Sequence, residues 1–507
     1  MKPKILITVI AITILISVVP YLIAYSAAGD SHVFEGFLLN PLDGNSYLAK
    51  MQLGWEGQWK FTLPYTASPG EGAYLFLFYI FLGHAARLAN LPLILVFHLA
   101  RVAATVFMIL TLYVFSRRVF AENRTWVSRI FIWMCLGAGM GWILFPFGVV
   151  TTDLWVPEAY VFLSGYVNPH FPLGLGLLLW IFLWSERKEW RFKLFILLGS
   201  LALAIVSPFG VVVAAAVLLV LSGWQWLETK RINWENLAAI FLGGGLFVLY
   251  QYWISTTDPI LAGWNTQNLT PSPAIWDLVI SFSPAILLAI LGFIHFRSWN
   301  FNYFQKLTTC WFAVSLILIL FPFSLQRRFL MGFYIPTTIL AGIGIVLSLK
   351  SLRTQRRLYS AAISLSIPSI IVVLALGAFG ITTLDQRFYL WQDEQKALEW
   401  VGQSTTQNAI ILASPDIGNV IPALTGRRVL YGHPFETVNA AAQKQLVTDL
   451  FQNAYSANKA LTLLAELKVS YIFFGPREKS LGRPDFITGL RPVFQDQSVT
   501  IYAVEKR

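Results

Sequence analysis

Apolar runs of bilayer length dominate this sequence and constrain what it can fold into. A helix needs about 20 apolar residues to cross the hydrocarbon core of a membrane, and eleven runs approach that length. Hydrophobic residues form 56% of the chain and charged residues only 12%, which is about half the charged fraction of an average soluble protein. This composition excludes a soluble multidomain enzyme and predicts an α-helical polytopic membrane protein. The expected spans lie at about 5–27, 92–116, 128–148, 170–185, 194–206, 209–225, 237–254, 275–296, 308–323, 331–349 and 360–384.

The basic residues predict the orientation of these spans, because cytoplasmic loops are enriched in Lys and Arg. Lys2 and Lys4 place the N-terminus inside, and the basic cluster at 117–129 should also be inside. The segment 29–72 is then outside, so an odd number of crossings must lie between residues 73 and 116. We therefore expect one span at 92–116, and we expect the apolar run 73–90 to be a helix lying along the outer interface. Later basic segments agree with this orientation: 186–193, Lys230 with Arg231, Arg297 with Lys306, and 350–357.

The orientation predicts a multi-pass protein of the plasma (inner) membrane, with its N-terminus in the cytoplasm and its C-terminal region outside. The net charge of +11 is then an orientation signal, and nucleic-acid binding is excluded. The membrane domain covers 1–384 and includes a long first outer loop, 29–91. Residues 385–507 have a mixed polar and apolar composition, in which short apolar strands alternate with helical stretches, so we expect a small extracytoplasmic α/β domain. The expected strands are 409–413, 428–431, 469–474 and 499–504, and the expected helices are about 393–403, 438–455 and 457–467.

Three carboxylates in the outer loops are candidates for chemistry. Asp43 stands near the start of a short amphipathic helix, where the helix dipole favours the ionised form. An ionised carboxylate just above a membrane can act as a general base or as a metal ligand. Asp153 and Glu158 are the acids of the second outer loop, 149–169, and either could assist. The alternative for all three is an ordinary structural role, as a helix cap or as a solvated loop acid.

An arginine pair opposes the local charge pattern. Arg327 and Arg328 fall on the outer side, against the positive-inside trend, and a guanidinium binds phosphate through a planar fork of donors. They suit a lipid phosphate, or alternatively they anchor the chain to ordinary anionic headgroups. Arg101 lies inside a span, where an ionisable group is a candidate site residue. Alternatively, Arg101 pairs with a carboxylate of a neighbouring helix. His170, between two prolines at the mouth of a span, is either a site residue or a structural histidine.

Several segments together resemble the GT-C class of polytopic glycosyltransferases, in particular the branch of the aminoarabinose transferase of lipid A and the protein O-mannosyltransferases. The segment Asp43-Gly-Asn-Ser-Tyr47-Leu-Ala resembles the acidic first-loop motif D-E-x-x-Y-A, with Gly44 in place of the second acid. Residues 73–90 resemble the interfacial helix of that family. Phe97-His-Leu-Ala-Arg101 and Ser116-Arg-Arg-Val-Phe120 resemble the two ends of the second span.

The resemblance implies a glycosyltransferase that uses a polyprenyl-phosphate-linked sugar and a lipid, glycan or protein acceptor. It implies that Asp43 is catalytic, that Glu158 or Asp153 assists, and that Arg327 or Arg328 holds the lipid phosphate. Tyr47, His170 and Arg101 complete the candidate substrate-binding set. No cofactor follows from the motifs, and a divalent cation, Mg²⁺ or Mn²⁺, is left open with Asp43 and Glu158 as its candidate ligands.

Two other functions stay open from the sequence. A lipid-linked-sugar flippase or transporter would bind with the same groups without reacting, although no internal repeat of the kind found in many transporters is visible. A non-catalytic membrane assembly or sensor protein would instead act through the C-terminal domain. In that domain Arg427, Arg428 and His433 are expected to be exposed, where they either contact an acceptor or are simply solvated.

Overall fold

The structure is a computed structural model that describes residues 3–120, 123–230, 232–294 and 301–504. Lys2, Arg231 and Arg297, which entered the orientation argument, lie outside the described residues. The chain forms two compact units, neither of them continuous in sequence. Unit one contains the described residues of 1–20, 98–250 and 269–379. Unit two contains those of 21–97, 251–268 and 380–507.

The chain is mostly helical. In chain order the helices are α1 (Pro3–Ala27), α2 (Pro41–Trp55), α3 (Leu77–Ala89), α4 (Leu93–Val119), α5 (Arg124–Leu136), α6 (Thr152–Trp155), α7 (Val161–Tyr166), α8 (His170–Trp184), α9 (Trp190–Val206), α10 (Pro208–Thr229), α11 (Trp234–Ile240), α12 (Leu246–Thr257), α13 (Pro259–Gln267), α14 (Ile275–Phe282), α15 (Ala285–Ile294), α16 (Tyr303–Leu320), α17 (Tyr334–Ser348), α18 (Leu352–Ser366), α19 (Pro368–Thr382), α20 (Gln392–Ser404), α21 (Pro415–Thr425), α22 (Ala440–Phe451), α23 (Ala457–Glu466) and α24 (Pro476–Leu481).

Six helical segments are long and apolar enough to cross a membrane, and a bent pair adds a seventh. The bent pair is α14 with α15, which meet at 91°. The chain is thus a multi-pass membrane protein, and these segments match seven of the eleven expected spans. The six segments are Lys4–Ala27, Leu93–Val119, Pro208–Thr229, Trp234–Thr257, Tyr303–Leu320 and Leu352–Thr382.

The four other expected spans are shorter helices. Helices α8 and α17 have 15 residues each and α9 has 17. The expected span 128–148 differs most, because α5 ends at Leu136 and two 3-10 turns follow an extended stretch. After the extended cap residue Gly137, the chain passes close to another backbone at Gly139, where a Cβ would come within 1.9 Å of the Ser281 carbonyl oxygen.

The helices on either side of Ser207 are separate. Helix α9 ends at Val206 and α10 begins at Pro208, whose ring is tolerated at the first position of a helix because no helical hydrogen bond is lost there. The segment 190–229 therefore contains two helices that pack on each other rather than one bent helix.

Unit two contains two small sheets. Strands β1 (His32–Phe34) and β2 (Tyr389–Trp391) pair antiparallel, so the start of the loop 29–91 pairs with the segment that follows α19. The larger sheet has the order β4-β3-β5-β7-β6. Its strands are β3 (Ile410–Leu412), β4 (Arg428–Val429), β5 (Tyr471–Phe474), β6 (Arg491–Gln495) and β7 (Thr500–Ala503).

This mixed sheet lies where alternating strands and helices were expected. Strands β4, β3 and β5 run parallel, while β7 is antiparallel to both β5 and β6. Apolar side chains of α20 and α21 pack on one face, and those of α22 and α23 pack on the other. Strand β6 and helices α21 and α24 were not expected. The sheet belongs to unit two, whose last segment begins at Gly380. Unit two also includes 21–97 and 251–268.

Candidate functional site

In unit one, the arginine pair and one acid of the loop 149–169 come together. Oε1 of Glu158 lies 3.5 Å from Nη1 of Arg328 and 3.9 Å from Nε of Arg327. The Arg327 guanidinium also lies over the Trp155 ring, 4.5 Å from its centroid. The Glu158 side chain is only 7% exposed, whereas those of Arg327 and Arg328 are 19% and 29% exposed. Two cations that reach the surface thus lie beside one buried carboxylate.

Backbone hydrogen bonds hold this cluster in place. The arginines lie in a 3-10 turn, Gln326–Leu330, which follows the apolar segment after α16. The Arg327 N–H donates to the Thr270 carbonyl, and the Thr270 N–H donates to Ser324. The Gly332 N–H donates to the Glu158 carbonyl at 2.8 Å. The turn is therefore tied to the loop that carries Glu158, so the proximity of the charges does not depend on the long side chains alone.

Asp153 is placed differently from Glu158. It is 1% exposed and accepts hydrogen bonds from the Gly141 N–H and from the hydroxyls of Thr151, Ser281 and Ser369, at 2.6–3.1 Å. Burial raises the pKa of this carboxyl, and the four donors oppose the rise. These contacts are those of a structural carboxylate that ties several segments of unit one together.

Arg101 and His170 also lie in unit one. Arg101 is 1% exposed, and its Nη1 donates to the carbonyls of Ser17, Gly165 and Tyr166. The last two are terminal carbonyls of α7, so Arg101 caps that helix, a role that neither sequence-based alternative foresaw. His170 is the first residue of α8, is half-buried, and packs against the Phe171 ring at 3.9 Å. The structure does not bring either residue to the Glu158 cluster by any described contact.

In unit two, Asp43 lies in the first turn of α2, as the sequence predicts. Its side chain is 46% exposed, and Oδ1 lies 3.4 Å from Nε2 of His433. The Tyr47 ring stacks on that of Tyr79, with centroids 4.3 Å apart. Gly44 has a packing reason to replace an acid, because a Cβ there would come within 2.4 Å of the Phe37 ring.

The sequence reasoning missed a buried ion pair on the same helix. Lys50 is fully buried, and its Nζ donates to Oε1 of Glu436 at 2.6 Å and to the Ser46 hydroxyl at 2.6 Å. Aromatic rings surround the ammonium, with the Phe76 centroid 4.4 Å away. Burial lowers the pKa of Lys50. Burial alone would raise the pKa of Glu436, but the neighbouring Lys50 and His433 hold it below its ordinary value. A lysine on the apolar side of an amphipathic helix was the available signal.

The expectation that Arg427 and His433 are exposed is wrong. Arg427 is 7% exposed and donates to the carbonyls of Gly402, Thr405 and Thr425, because the end of α20 and the end of α21 leave terminal carbonyls to be capped there. His433 is 2% exposed beneath Asp43. Arg428 is half-buried and donates to the Ala67 and Asn408 carbonyls.

No ready cation site is found within the described ranges, where no group of three His, Cys, Asp or Glu side chains could share one ion. The charge interactions described for the two candidate ligands are with cations or a histidine: His433 and Lys50 for Asp43, and the arginines for Glu158. The residues present do not by themselves fit a divalent cation.

Comparison with solved structures identifies the fold. The chain is similar to the oligosaccharyltransferase AglB from Archaeoglobus fulgidus in complex with an inhibitory peptide and a dolichol-phosphate, with a TM-score of 0.53 and 11% identity over 99% of this chain and 74% of that one. It is similar to ArnT from Cupriavidus metallidurans bound to undecaprenyl phosphate, with a TM-score of 0.50 and 10% identity over 97% and 98%. The chain has a GT-C fold.

A third structure agrees. The arabinofuranosyltransferase AftD from Mycobacteria matches with a TM-score of 0.53 and 13% identity, over 98% of this chain and 40% of that one. No family model and no curated protein matches the sequence. The resemblance to GT-C glycosyltransferases is thus confirmed at the level of the fold, at sequence identities that carry no residue roles across.

Proposed function

We propose that this GT-C protein transfers a sugar from a polyprenyl-phosphate donor to an acceptor hydroxyl on the outer face of the plasma membrane. The fold supports the proposal, as do the lipid phosphates bound to two of the similar proteins. The observation that carries it is the cluster in which Arg327 and Arg328 share the buried Glu158 carboxylate. A lipid, a glycan or a protein can supply the acceptor hydroxyl.

Arg327 and Arg328 are assigned to the donor phosphate. Partly exposed guanidinium groups attract an anion, and they offer a phosphate paired donors in one plane. In this proposal Glu158 keeps the two guanidinium groups from repelling each other and orients them, which is its assisting role. The outer position of the pair, against the positive-inside trend, is then explained by its ligand.

Asp43 is assigned as the general base. It lies in the first turn of a helix, where the dipole stabilises a carboxylate, and nearly half of its side chain is exposed. Asp43 takes the proton of the acceptor hydroxyl, and the acceptor oxygen forms a bond to the anomeric carbon of the sugar. The bond between that carbon and the donor phosphate oxygen breaks, and its electron pair stays on the phosphate. The arginines stabilise the charge that develops there.

A single displacement at the anomeric carbon inverts its configuration. The product glycoside therefore has the opposite anomeric configuration to the donor, and one polyprenyl phosphate is released for each sugar transferred. Tyr47, beside Asp43 on α2, is the candidate to contact the sugar or acceptor, and His170 remains a candidate for donor binding. Arg101 and Asp153 are assigned to structural roles, because buried carbonyls and hydroxyls occupy them.

Dependence of the transfer on a divalent cation is tested separately. One oligosaccharyltransferase structure with a similar fold contains zinc and sulfate. No step above uses a cation, since the described side chains do not form a site for one. Transfer in EDTA, followed by addition of Mg²⁺ or Mn²⁺, tests the dependence directly.

The decisive test is transfer in lipid vesicles containing the full chain, with radiolabelled sugars on undecaprenyl phosphate, assayed as label on the acceptor and as free undecaprenyl phosphate. Membrane extract from the source cell supplies the acceptor. Asp43→Asn should lower kcat by about 10²-fold or more, and Arg327→Ala with Arg328→Ala should raise KM for the donor. Asp30→Asn, an exposed acid of the same loop, and Arg191→Ala are the matched controls.

Full activity in Asp43→Asn and in the double arginine variant would overturn the assignment. Movement of the labelled lipid between leaflets without release of undecaprenyl phosphate would instead identify a flippase. Both results are read from the same vesicles, so the enzyme and transporter alternatives are separated in one experiment.

A further inference from the structure

A short loop of the C-terminal region lies against the helix that carries the proposed base. Residues 432–437 follow β4 and are joined by their own hydrogen bonds: the N–H groups of Gly432 and His433 donate to the Thr437 hydroxyl, and the Thr437 N–H donates to the His433 carbonyl. We call this segment the 432–437 loop. Both the loop and α2 belong to unit two.

Hydrogen bonds determine the tautomer of His433. The backbone N–H groups of Phe435 and Glu436 both point at its Nδ1, at 3.1 and 3.2 Å. Nδ1 must therefore accept, and the neutral ring carries its proton on Nε2. That nitrogen is buried, has no hydrogen bond within the described part of the chain, and lies 3.4 Å from Oδ1 of Asp43.

A buried donor without a hydrogen bond is costly, because folding removes its water without replacing it. Such contacts at catalytic groups are often long without substrate and shorten when it binds. The described ion pair of the Nε2–H is with the half-exposed Asp43 carboxylate, 3.4 Å away. Glu436 also interacts electrostatically with the ring, but its carboxylate is bound by Lys50 and Ser46. The donor is thus placed to orient the Asp43 carboxylate.

The other end of the loop is locked to the same helix. Glu436 accepts from Lys50 and from the Ser46 hydroxyl, both at 2.6 Å. Ser46 and Lys50 lie three and seven residues after Asp43, so they are on the same side of α2. The loop is therefore held at two points, and His433 is kept at a defined distance from the start of the helix.

We propose that the 432–437 loop positions the catalytic carboxylate, with the Nε2–H of His433 directing Asp43 and the Lys50–Glu436 pair setting the register between loop and helix. His433 is a positioning residue, since it reaches the reaction only through Asp43. This gives the C-terminal region a part in the proposed transfer, on which the inference rests. It commits to no particular acceptor.

Two conservative substitutions separate positioning from simple loop support. The amide of His433→Gln places an N–H donor near the position of Nε2, whereas His433→Asn places an acceptor near Nδ1, where the Phe435 and Glu436 amides point. We expect His433→Phe to lower kcat by about 10- to 100-fold with little change in KM for the donor. His433→Gln should restore much of the loss and His433→Asn should not. His32→Phe, at another histidine of unit two, is the control.

A second measurement couples His433 to Asp43. In an Asp43→Glu background, where the carboxylate is displaced, His433→Phe should cause a much smaller further loss, since the two residues act as one unit. Undiminished activity in His433→Phe, rescue by Asn rather than Gln, or fully additive losses would each overturn the positioning role. Failure of the proposed function is recognised separately, as full activity in Asp43→Asn.

Discussion

Oε1 of Glu158 lies 3.5 Å from Nη1 of Arg328, in a cluster where Arg327 approaches the same oxygen. If this cluster binds phosphate, neutralising Glu158 strengthens anion binding. We expect Glu158→Gln to lower the inhibition constant of free undecaprenyl phosphate about two- to fivefold, as for a charge interaction of up to about 1 kcal/mol at a partly exposed site. Arg328→Ala should raise it.

Inhibition curves at low and high salt measure this effect, which should shrink as salt screens the charges. Glu186→Gln is the matched control, since Glu186 also pairs with an arginine, Arg118, at an exposed position. Weaker inhibition in Glu158→Gln would mean that the carboxylate is needed to shape the site more than it opposes the ligand.

Asp153→Asn should reduce stability rather than chemistry. The carboxylate accepts from four donors, and an amide would turn an N–H toward at least one of them. We expect a loss of about 1–3 kcal/mol in the free energy of unfolding, the usual cost of leaving a buried polar group unsatisfied. Thermal unfolding and activity per folded molecule are the measurements, with the exposed Asp30→Asn as control. A large fall in kcat at unchanged stability would return Asp153 to the active site.

Glu35 should make stability depend on pH. Burial raises the pKa of this carboxyl from 4.5 to about 7, although Asn45 donates to it at 2.9 Å. A folded-state pKa above the unfolded value means that folding takes up a proton between the two values. The contribution of Glu35 is therefore largest below about 4.5 and is lost as pH rises through about 7.

The measurement is the midpoint of thermal unfolding between pH 5 and pH 8. In the wild type it should fall as pH rises, and in Glu35→Gln this part of the fall should vanish. Glu399→Gln, an exposed acid of unit two, should keep the wild-type slope. An unchanged slope in Glu35→Gln would contradict the raised pKa.

The buried Lys50–Glu436 pair should be sensitive to loss of one partner. Lys50→Met leaves the Glu436 carboxylate buried without its cation, and we expect a loss of about 3–5 kcal/mol in the free energy of unfolding. Lys50→Met combined with Glu436→Leu should recover most of it, because no isolated charge remains. Denaturant titration measures both, with the exposed Lys444→Met as control. Equal losses in the single and double variants would show that packing around Lys50, not its charge, is what matters.

Local patterns predicted most of the helices. The apolar run at 92–116 became the 27-residue α4 because length and hydropathy alone are enough to define such a helix. The expected span at 128–148 is wrong beyond Leu136, where the chain instead passes close to Ser281, a contact far away in sequence that the apolar run does not reveal. The order of the sheet strands, with β3 between β4 and β5, was likewise not readable, because strand pairing joins segments that the sequence separates.

The candidate residues divide in the same way. Arg327 and Arg328 could be singled out because they oppose the charge pattern of the loops, and Asp43 because it starts an amphipathic helix. Lys50 and Glu436 could not be paired by any such argument, since they lie 386 residues apart. The sequence also does not distinguish Asp153 from Glu158, because both are acids of one short loop.

The sequence by itself thus determined that this chain crosses a membrane, where most of its long apolar helices lie, and which charged residues are unusual for their position. These properties depend on residues that are close in sequence, so they do not change with the tertiary contacts of the chain. Tertiary structure alone decided which partners the charged groups have. Glu158 lies beside the arginine pair, Asp153 accepts from hydroxyls, and Glu436 pairs with Lys50. An ion pair depends on a separation of a few ångströms between atoms, and only the packed chain defines that separation.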